Sequence, residues 1–237
     1  MKSLRHKIRW ALIPFLCPIV AGAAGVYWFM LRDSAAAPLA LRTPTSLSRA
    51  ESDTEINGQW TVVAGPNDQA TTAGYRVKER VFGVGADTAT SRTHDVTGSV
   101  TVVGQRVTAA KFTVDMSTLK SNKSLRDSVL KSAAIETDKY PTATFTLIRP
   151  IALPDIAPGR IYRVNAHGKL QLHGESKSVS VTLRYERTRT GIVVLADMPI
   201  VMADYGIKAP SVAGAVSVDN HGSFELLVNL SQRPPAN

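Results

Sequence analysis

With a single cysteine, Cys17, the chain has no intrachain disulfide, so a domain in an oxidising space must stand on its core alone. Cys17 lies inside an apolar run and follows Leu16, so the small residue that a lipoprotein cleavage site needs before its cysteine is missing. Aromatic residues make up 6% of the chain and no basic cluster is interleaved with them, which speaks against a nucleic-acid surface. There is no G-x-S-x-G nucleophile elbow and no H-E-x-x-H, so neither an acyl-transfer serine nor a zinc protease helix is in view. Gly83-Val-Gly85 lacks the following x-x-Gly and a βα setting, so no nucleotide site is read there. His167 and His173 share a strand face, but six residues of strand separate them by about 20 Å, too far for one metal. His94 and His221 have no local ligand partners. The sequence therefore offers no catalytic residue, no metal set and no cofactor. Alternation of the βαβ kind is also missing, as is any repeat at a solenoid or propeller period.

What the chain does have begins at its N-terminus. The net charge is +9, and residues 1–33 carry Lys2, Arg5, Lys7, Arg9 and Arg32 against Asp33, a surplus of four. Trp10–Leu31 then holds no charged residue over 22 positions, a length that spans a bilayer core and exceeds a usual signal-peptide apolar region. Positive charge ahead of it predicts a single pass with the N-terminus inside and the remainder on the extracytoplasmic side of the cell membrane. A cleaved signal peptide is the competing reading; Ala35-Ala-Ala37 supplies small residues, but Pro38 would follow the cut. Ala21 and Gly25 form a small-xxx-small pair, a candidate homodimer face. The division expected is a basic cytoplasmic segment at 1–9, a transmembrane helix at 10–31, a flexible linker at 32–57, one domain at 58–232 and a tail at 233–237. About 24 residues of loose coil between membrane and domain give an end-to-end distance of about 25–30 Å.

From Gly58 onward short alternating stretches are broken by turn residues. Gln59–Ala64, Ala73–Phe82, Val96–Val103, Gln105–Leu119, Thr144–Pro150, Arg160–Leu172, Lys177–Thr188, Ile192–Ala196 and Phe224–Leu230 read as strands. Gly104 marks a hairpin. A helix is expected where Ser124 opens an S-x-x-D pattern with Asp127 and Val129, Leu130, Ala133 and Ala134 follow at helical spacing. Asp138-Lys-Tyr-Pro141 stops it, since proline disfavours helical geometry in the residue before it. One strand per 10–15 residues with a single short helix is an all-β sandwich or barrel, and the pattern by itself does not separate the two.

The stretch from Lys111 to Leu147 carries more. Asp115-Met-Ser-Thr-Leu119, then Leu125-Arg-Asp127, then Tyr140-Pro-x-Ala-Thr-Phe145 resembles the signature of the YceI-like family. Gly168-Lys-Leu-Gln-Leu-His-Gly174, Ala203-Asp-Tyr-Gly-Ile207 and a closing strand at Gly222–Leu230 extend the resemblance, in order, over residues 58 to 232. Glu175 and Ser176 depart from the residues usual after the Leu-His-Gly. The resemblance implies a membrane-anchored member of that family: a lipocalin-like closed antiparallel β-barrel with one short helix inserted between strands, holding a polyisoprenoid or similar long-chain amphiphile without catalysis.

If the barrel is hollow, alternation assigns its lining to Tyr75, Val77, Val81, Phe112, Val114, Met116, Phe145, Leu147, Leu170, Leu172, Val181, Leu183, Phe224 and Leu226. Each methylene buried there contributes about 0.8 kcal/mol, so a long isoprenoid or fatty chain needs no polar anchor. Arg126 is read either as an ion-pair partner that pins the helix to the barrel or as a contact for an anionic headgroup. The alternative to a carrier is a packed β-domain that serves as a protein–protein interaction module in the cell envelope, since alternating apolar faces are also what any soluble β-domain needs in order to fold.

Overall fold

In the computed structural model, residues 35–42, 56–83, 85–189, 191–212 and 216–232 are described. The expected cytoplasmic segment, the apolar run 10–31 with Cys17, Ala21 and Gly25, most of the linker and the tail lie outside them. Among the described residues no helix is long and apolar enough to cross a membrane.

The strands in chain order are β1 (Gly58–Val63), β2 (Thr72–Val81), β3 (Gly85–Thr93), β4 (Val96–Val103), β5 (Arg106–Asp115), β6 (Thr142–Leu147), β7 (Ile151–Ala152), β8 (Ile161–Leu172), β9 (Glu175–Arg187), β10 (Ile192–Val201), β11 (Ser211–Val212) and β12 (Val216–Gln232). The helix α1 (Ser124–Val129) lies between β5 and β6 and runs into a wide turn at Leu130–Ala134. Eight strands close in the order β1-β4-β5-β6-β8-β9-β10-β12, and β12 pairs back to β1, so the sheet is an antiparallel barrel. Closure settles the choice between sandwich and barrel that alternation left open, and it leaves the eight ring strands without a free edge along the closure.

β12 makes closure work. Along one edge it pairs β10 from Ile192↔Leu230 to Val201↔His221. Along the other it pairs β2 from Val216 to Leu227, then hands over to β1 at Asn229↔Val63. At the handover Thr71 Oγ1 donates to Val63 O (2.6 Å) and accepts from Asn229 N (3.0 Å), while Asn229 Nδ2 donates to Gln69 O (2.8 Å). The β2–β3 hairpin thus continues the wall beside the upper half of β12. β3 adds a bridge from Arg92 to Lys120.

Two of the hairpins are two-residue turns. Gly104 and Gln105 join β4 to β5 with φ of 53° and 58°, and His173 and Gly174 join β8 to β9 with φ of 52° and 80°. Positive φ at both central residues is the mirror-type turn that matches strand twist. The unusual Glu175 and Ser176 simply begin β9.

Several expectations need correction. β3 reads GADTATSRT, with no large apolar residue to give an alternation, so sequence pattern missed it. β10 runs on to Val201; Pro199 is tolerated because pairing with β9 ends at Ala196. The strand at Gln105 stops at Asp115, whose carboxylate accepts from Ser117 N (2.9 Å) and turns Met116–Thr118 into a 3₁₀ turn. The helix is capped by Lys123 rather than Ser124, and Asp127 instead accepts from Ser121 N (2.8 Å). The helical turns end at Glu136, left-handed at φ 50°, before Pro141 is reached.

Residues 35–42, part of the stretch read as flexible linker, lie on the outer wall. Ala36 N donates to Thr90 Oγ1 (3.3 Å), Arg76 Nη2 donates to Ala36 O (2.5 Å), and Arg92 donates to Ala37 O. Leu39 and Leu41 pack on Val193, Leu195 and Leu227, and Arg42 pairs with Asp68 (2.6 Å). Beneath the strap the buried Glu225 accepts from Arg76 Nε (3.3 Å) and Arg92 Nη2 (3.4 Å), so the same two guanidiniums neutralise it and hold the strap.

Gly168 explains one residue of the Gly168–Gly174 pattern. A Cβ there would lie 2.3 Å from Phe145 Cζ and 2.7 Å from Thr146 O, because the Phe145 ring lies flat over this point of β8. Gly168→Ala is expected to force the ring aside and cost about 1–3 kcal/mol of stability, read as a lower urea midpoint with an unchanged slope; a variant as stable as the parent would contradict this packing.

Candidate ligand cavity

Two cavities are stacked along the barrel axis. The lower one, at the end where β2 begins, measures about 120 Å³ and is lined almost wholly by apolar atoms. The upper one, at the end of the β2–β3 turn, measures about 320 Å³ and lies beneath α1 and the 202–210 segment. Among the described residues Phe224 alone lines both, so its ring is the partition.

Of the residues expected to line a cavity, Phe112, Val114, Phe145, Leu147, Leu170, Val181, Leu183 and Leu226 face the lower chamber. Tyr75, Val77 and Leu172 face the upper one, and Phe224 faces both. Met116 does not reach either: it starts the 3₁₀ turn and is buried in solid packing. Val81 ends β2, and its side chain lies outside the described residues. Sequence reasoning missed two groups. Val100, Val194, Ala196, Met198, Val228 and Leu230 also line the lower chamber, and alternation in their strands was the signal that marks them. Val129, Leu130, Ala134, Ile135, Met202 and Ile207 close the upper chamber; they belong to the helix and a turn, which a search for strand faces passes over.

The chambers differ in chemistry. Tyr75, Glu79, Lys123 and Arg126 bring polar groups to the upper wall. Arg126 Nη2 donates to Glu79 Oε1 at 2.9 Å and Nη1 to Asn122 Oδ1 at 3.0 Å. The pair is largely shielded, pins α1 to β2, and leaves the guanidinium on the cavity wall. Burial pushes the Tyr75 phenol well above its ordinary value, with Arg126 pulling the other way, so this hydroxyl is a neutral donor at physiological pH.

The lower chamber has one polar atom of note. Among the described residues Tyr185 Oη is buried without a hydrogen-bond partner, its ring stacked at 5.6 Å on Tyr162. Burial, and then the neighbouring Tyr162 phenol, push Tyr185 up to about 12.

The four described histidines line neither chamber. His173 Nδ1 donates to Tyr205 O (3.0 Å), its Nε2 is 2.9 Å from Glu136 Oε2, and its ring packs on Tyr140 at 4.3 Å. It ties the end of the helical segment to the 3₁₀ turn at Met202–Tyr205, the two elements that roof the upper chamber. His167 Nδ1 lies 2.8 Å from Ser180 Oγ in an exposed pair. His94 Nδ1 lies 2.8 Å from Thr71 O, and His221 pairs with Asp219. Among the described residues no three metal-ligating side chains gather.

An eight-stranded barrel with apolar chambers and one short helix is the architecture that the ordered motifs implied, and comparison with known proteins decides the family. The model of the YceI-like domain matches residues 60–229. The chain belongs to the YceI-like family. Its barrel is similar to a polyisoprenoid-binding domain from Saccharophagus degradans, with 17% identity over 73% of this chain and 98% of that one and a TM-score of 0.56. It is also similar to BcnA of Burkholderia cenocepacia, with 15% identity over 67% of this chain and 95% of that one and a TM-score of 0.52. No curated protein matches in sequence. At these identities the likeness fixes the lipocalin-like YceI fold, and the chambers must be argued from their own residues.

The orphan hydroxyl gives the lower chamber a direct test. An unsatisfied buried polar group costs about 1–3 kcal/mol, so Tyr185→Phe is expected to be as stable as the parent or more so by urea unfolding. A loss of stability would show that Tyr185 Oη has a partner.

Proposed function

We propose that this YceI-like protein is a non-catalytic carrier that holds a polyisoprenoid or similar long-chain amphiphile inside the barrel, tail down and polar end beneath the helix. The observation that carries this reading is the division of the interior. The lower chamber is lined almost wholly by hydrocarbon, and the charged groups gather at the other end around Arg126. An amphiphile has the same polarity profile. A similar fold binds a polyisoprenoid in the domain from Saccharophagus degradans.

Size narrows the ligand. A cavity of about 150 Å³ takes one benzene, or about 25 Å³ per carbon. By that measure the lower chamber takes about five carbons, one isoprene unit, and the upper about thirteen. A chain of about eighteen carbons fills both once the Phe224 ring turns aside. Longer prenyl chains leave part of their length at the upper end.

The apolar run Trp10–Leu31 behind a basic N-terminus supports an uncleaved anchor, with the barrel on the extracytoplasmic side. A carrier tied to the bilayer meets its ligand where that ligand dissolves. The second reading, an envelope interaction module, is favoured by one observation: the lower chamber alone is too small for a polyisoprenoid.

Titration with a fluorescent fatty acid, competed by prenyl alcohols of increasing length, separates the two. Affinity is expected to rise with each added carbon until about eighteen and then to level off. Ala196→Phe, which plugs the lower chamber, is expected to cost the last five carbons, about 4 kcal/mol or roughly a thousand-fold. The outward-facing Asp197→Asn leaves binding intact. Affinity independent of chain length, or no binding by the parent, would sink the carrier and favour the interaction module.

A further inference from the structure

The strap 35–42 has a direction. Ala36 is held by Arg76 and Thr90, which pair with each other halfway up the β2–β3 hairpin. Ala37 is held by Arg92, opposite Gly74, two rungs lower. Leu39 and Leu41 pack at the level of Leu227, which pairs with Thr72 at the foot of β2. Arg42 reaches Asp68, before β2 begins. The strap therefore descends the wall, with its N-terminal end toward the upper end of the barrel.

That direction fixes a distance. Five residue steps lead from Leu31, the end of the apolar run, to Ala36, and fully extended they reach at most about 18 Å. Above Arg76, β2 climbs five more residues to Val81, about 17 Å. The reach of the five steps is long enough to bring the membrane end of the run level with the top of the β2–β3 hairpin and too short to carry it far beyond. Phe82 stands at that top, 85% exposed, the barest of the large apolar side chains among the described residues. Lys78 and Arg80 are exposed on the adjoining strand. An aromatic tip with basic neighbours suits the lipid–water interface.

We propose that the strap holds the barrel in a fixed orientation, with its upper end against the bilayer and Phe82 touching the lipid surface, so that the upper chamber faces the membrane. This rests on the anchor reading above. The free swing of a 24-residue tether is replaced by a stand-off of a few residues, and the ligand moves between bilayer and chamber without crossing bulk water. The occupant of the Phe82 surface is the bilayer itself rather than a protein, because at most about 18 Å of chain parts Ala36 from the apolar run, which keeps the bilayer within reach of the tip.

The test uses the full chain with Cys17→Ser, reconstituted in nanodiscs of phosphatidylcholine and phosphatidylglycerol that carry a spin-labelled lipid. One fluorophore is attached at Phe82→Cys, at Arg80→Cys, which keeps Phe82, or at Asn67→Cys at the far end, about 30 Å away along the strands. Lipid quenching is expected to be several-fold stronger at 80 and 82 than at 67. Leu39→Asp with Leu41→Asp, which loosens the strap on a barrel still folded by circular dichroism, is expected to erase the difference. Equal quenching at both ends of the parent, stronger quenching at 67, or a contrast that survives the loosened strap would overturn the proposal. A chain that fails to enter the discs would overturn it together with the anchor. The expected contrast in a protein that binds no prenyl alcohol would uphold the orientation while the carrier reading falls.

Discussion

The barrel depends on one strand having two partners along a single edge. β12 cannot close the ring unless β2 gives way to β1 on the same side, and backbone groups at such a handover would be left without partners inside the wall. Thr71 and Asn229 supply them: one hydroxyl bonds to both strands, and one amide reaches back to Gln69. With that junction satisfied, the ring closes on an interior walled by alternate side chains of eight strands. The β2–β3 hairpin is freed to extend the wall upward, and it is this extension that makes room for a second chamber.

Interior space follows from where bulk is spent. Phe112, Phe145 and Phe224 are large rings inside, beside Trp60 and Tyr185, and the small residues Ala143, Ala166 and Ala196 share the same wall. Gly168 lets Phe145 lie flat against the wall. The barrel is thus neither solid nor fully hollow: the lower half keeps about 120 Å³, and Phe224 separates it from the roomier upper half. Protein interiors rarely leave apolar voids of this size without use, because the lining forgoes dispersion contacts. The polar atoms are sorted as well, with the Arg126–Glu79 pair under the helix and hydrocarbon below it.

Much of this was legible in the residues. Strands with clean alternation, such as Val179–Tyr185 and Phe224–Leu230, showed their inward faces, and twelve of the fourteen residues expected on a cavity wall lie on one. The ordered motifs from Asp115 to Phe145 pointed to the fold family. What was hidden shares a cause. β3 is built of Ala, Thr and Ser, because the hairpin and the docked strap leave little room for large side chains, so no hydrophobic period marks it. The strap itself is short and weakly patterned, and its anchors, Arg76, Arg92 and Glu225, are distant in sequence. The roof of the upper chamber comes from a helix and a turn, whose spacing says nothing about the strands they cover. Met116 kept its burial but lost its place on the wall when Asp115 turned the strand.

The sorted polarity and the two chambers fit the proposed carrier: a barrel with space inside for a chain that water rejects. The most direct test is native mass spectrometry of the full chain released from its own membranes in mild detergent. The account predicts a population heavier than the bare chain by a single long-chain amphiphile, shed on collisional activation and missing from Ala196→Phe. A spectrum that holds the bare mass alone, from protein whose fold is intact, would contradict it.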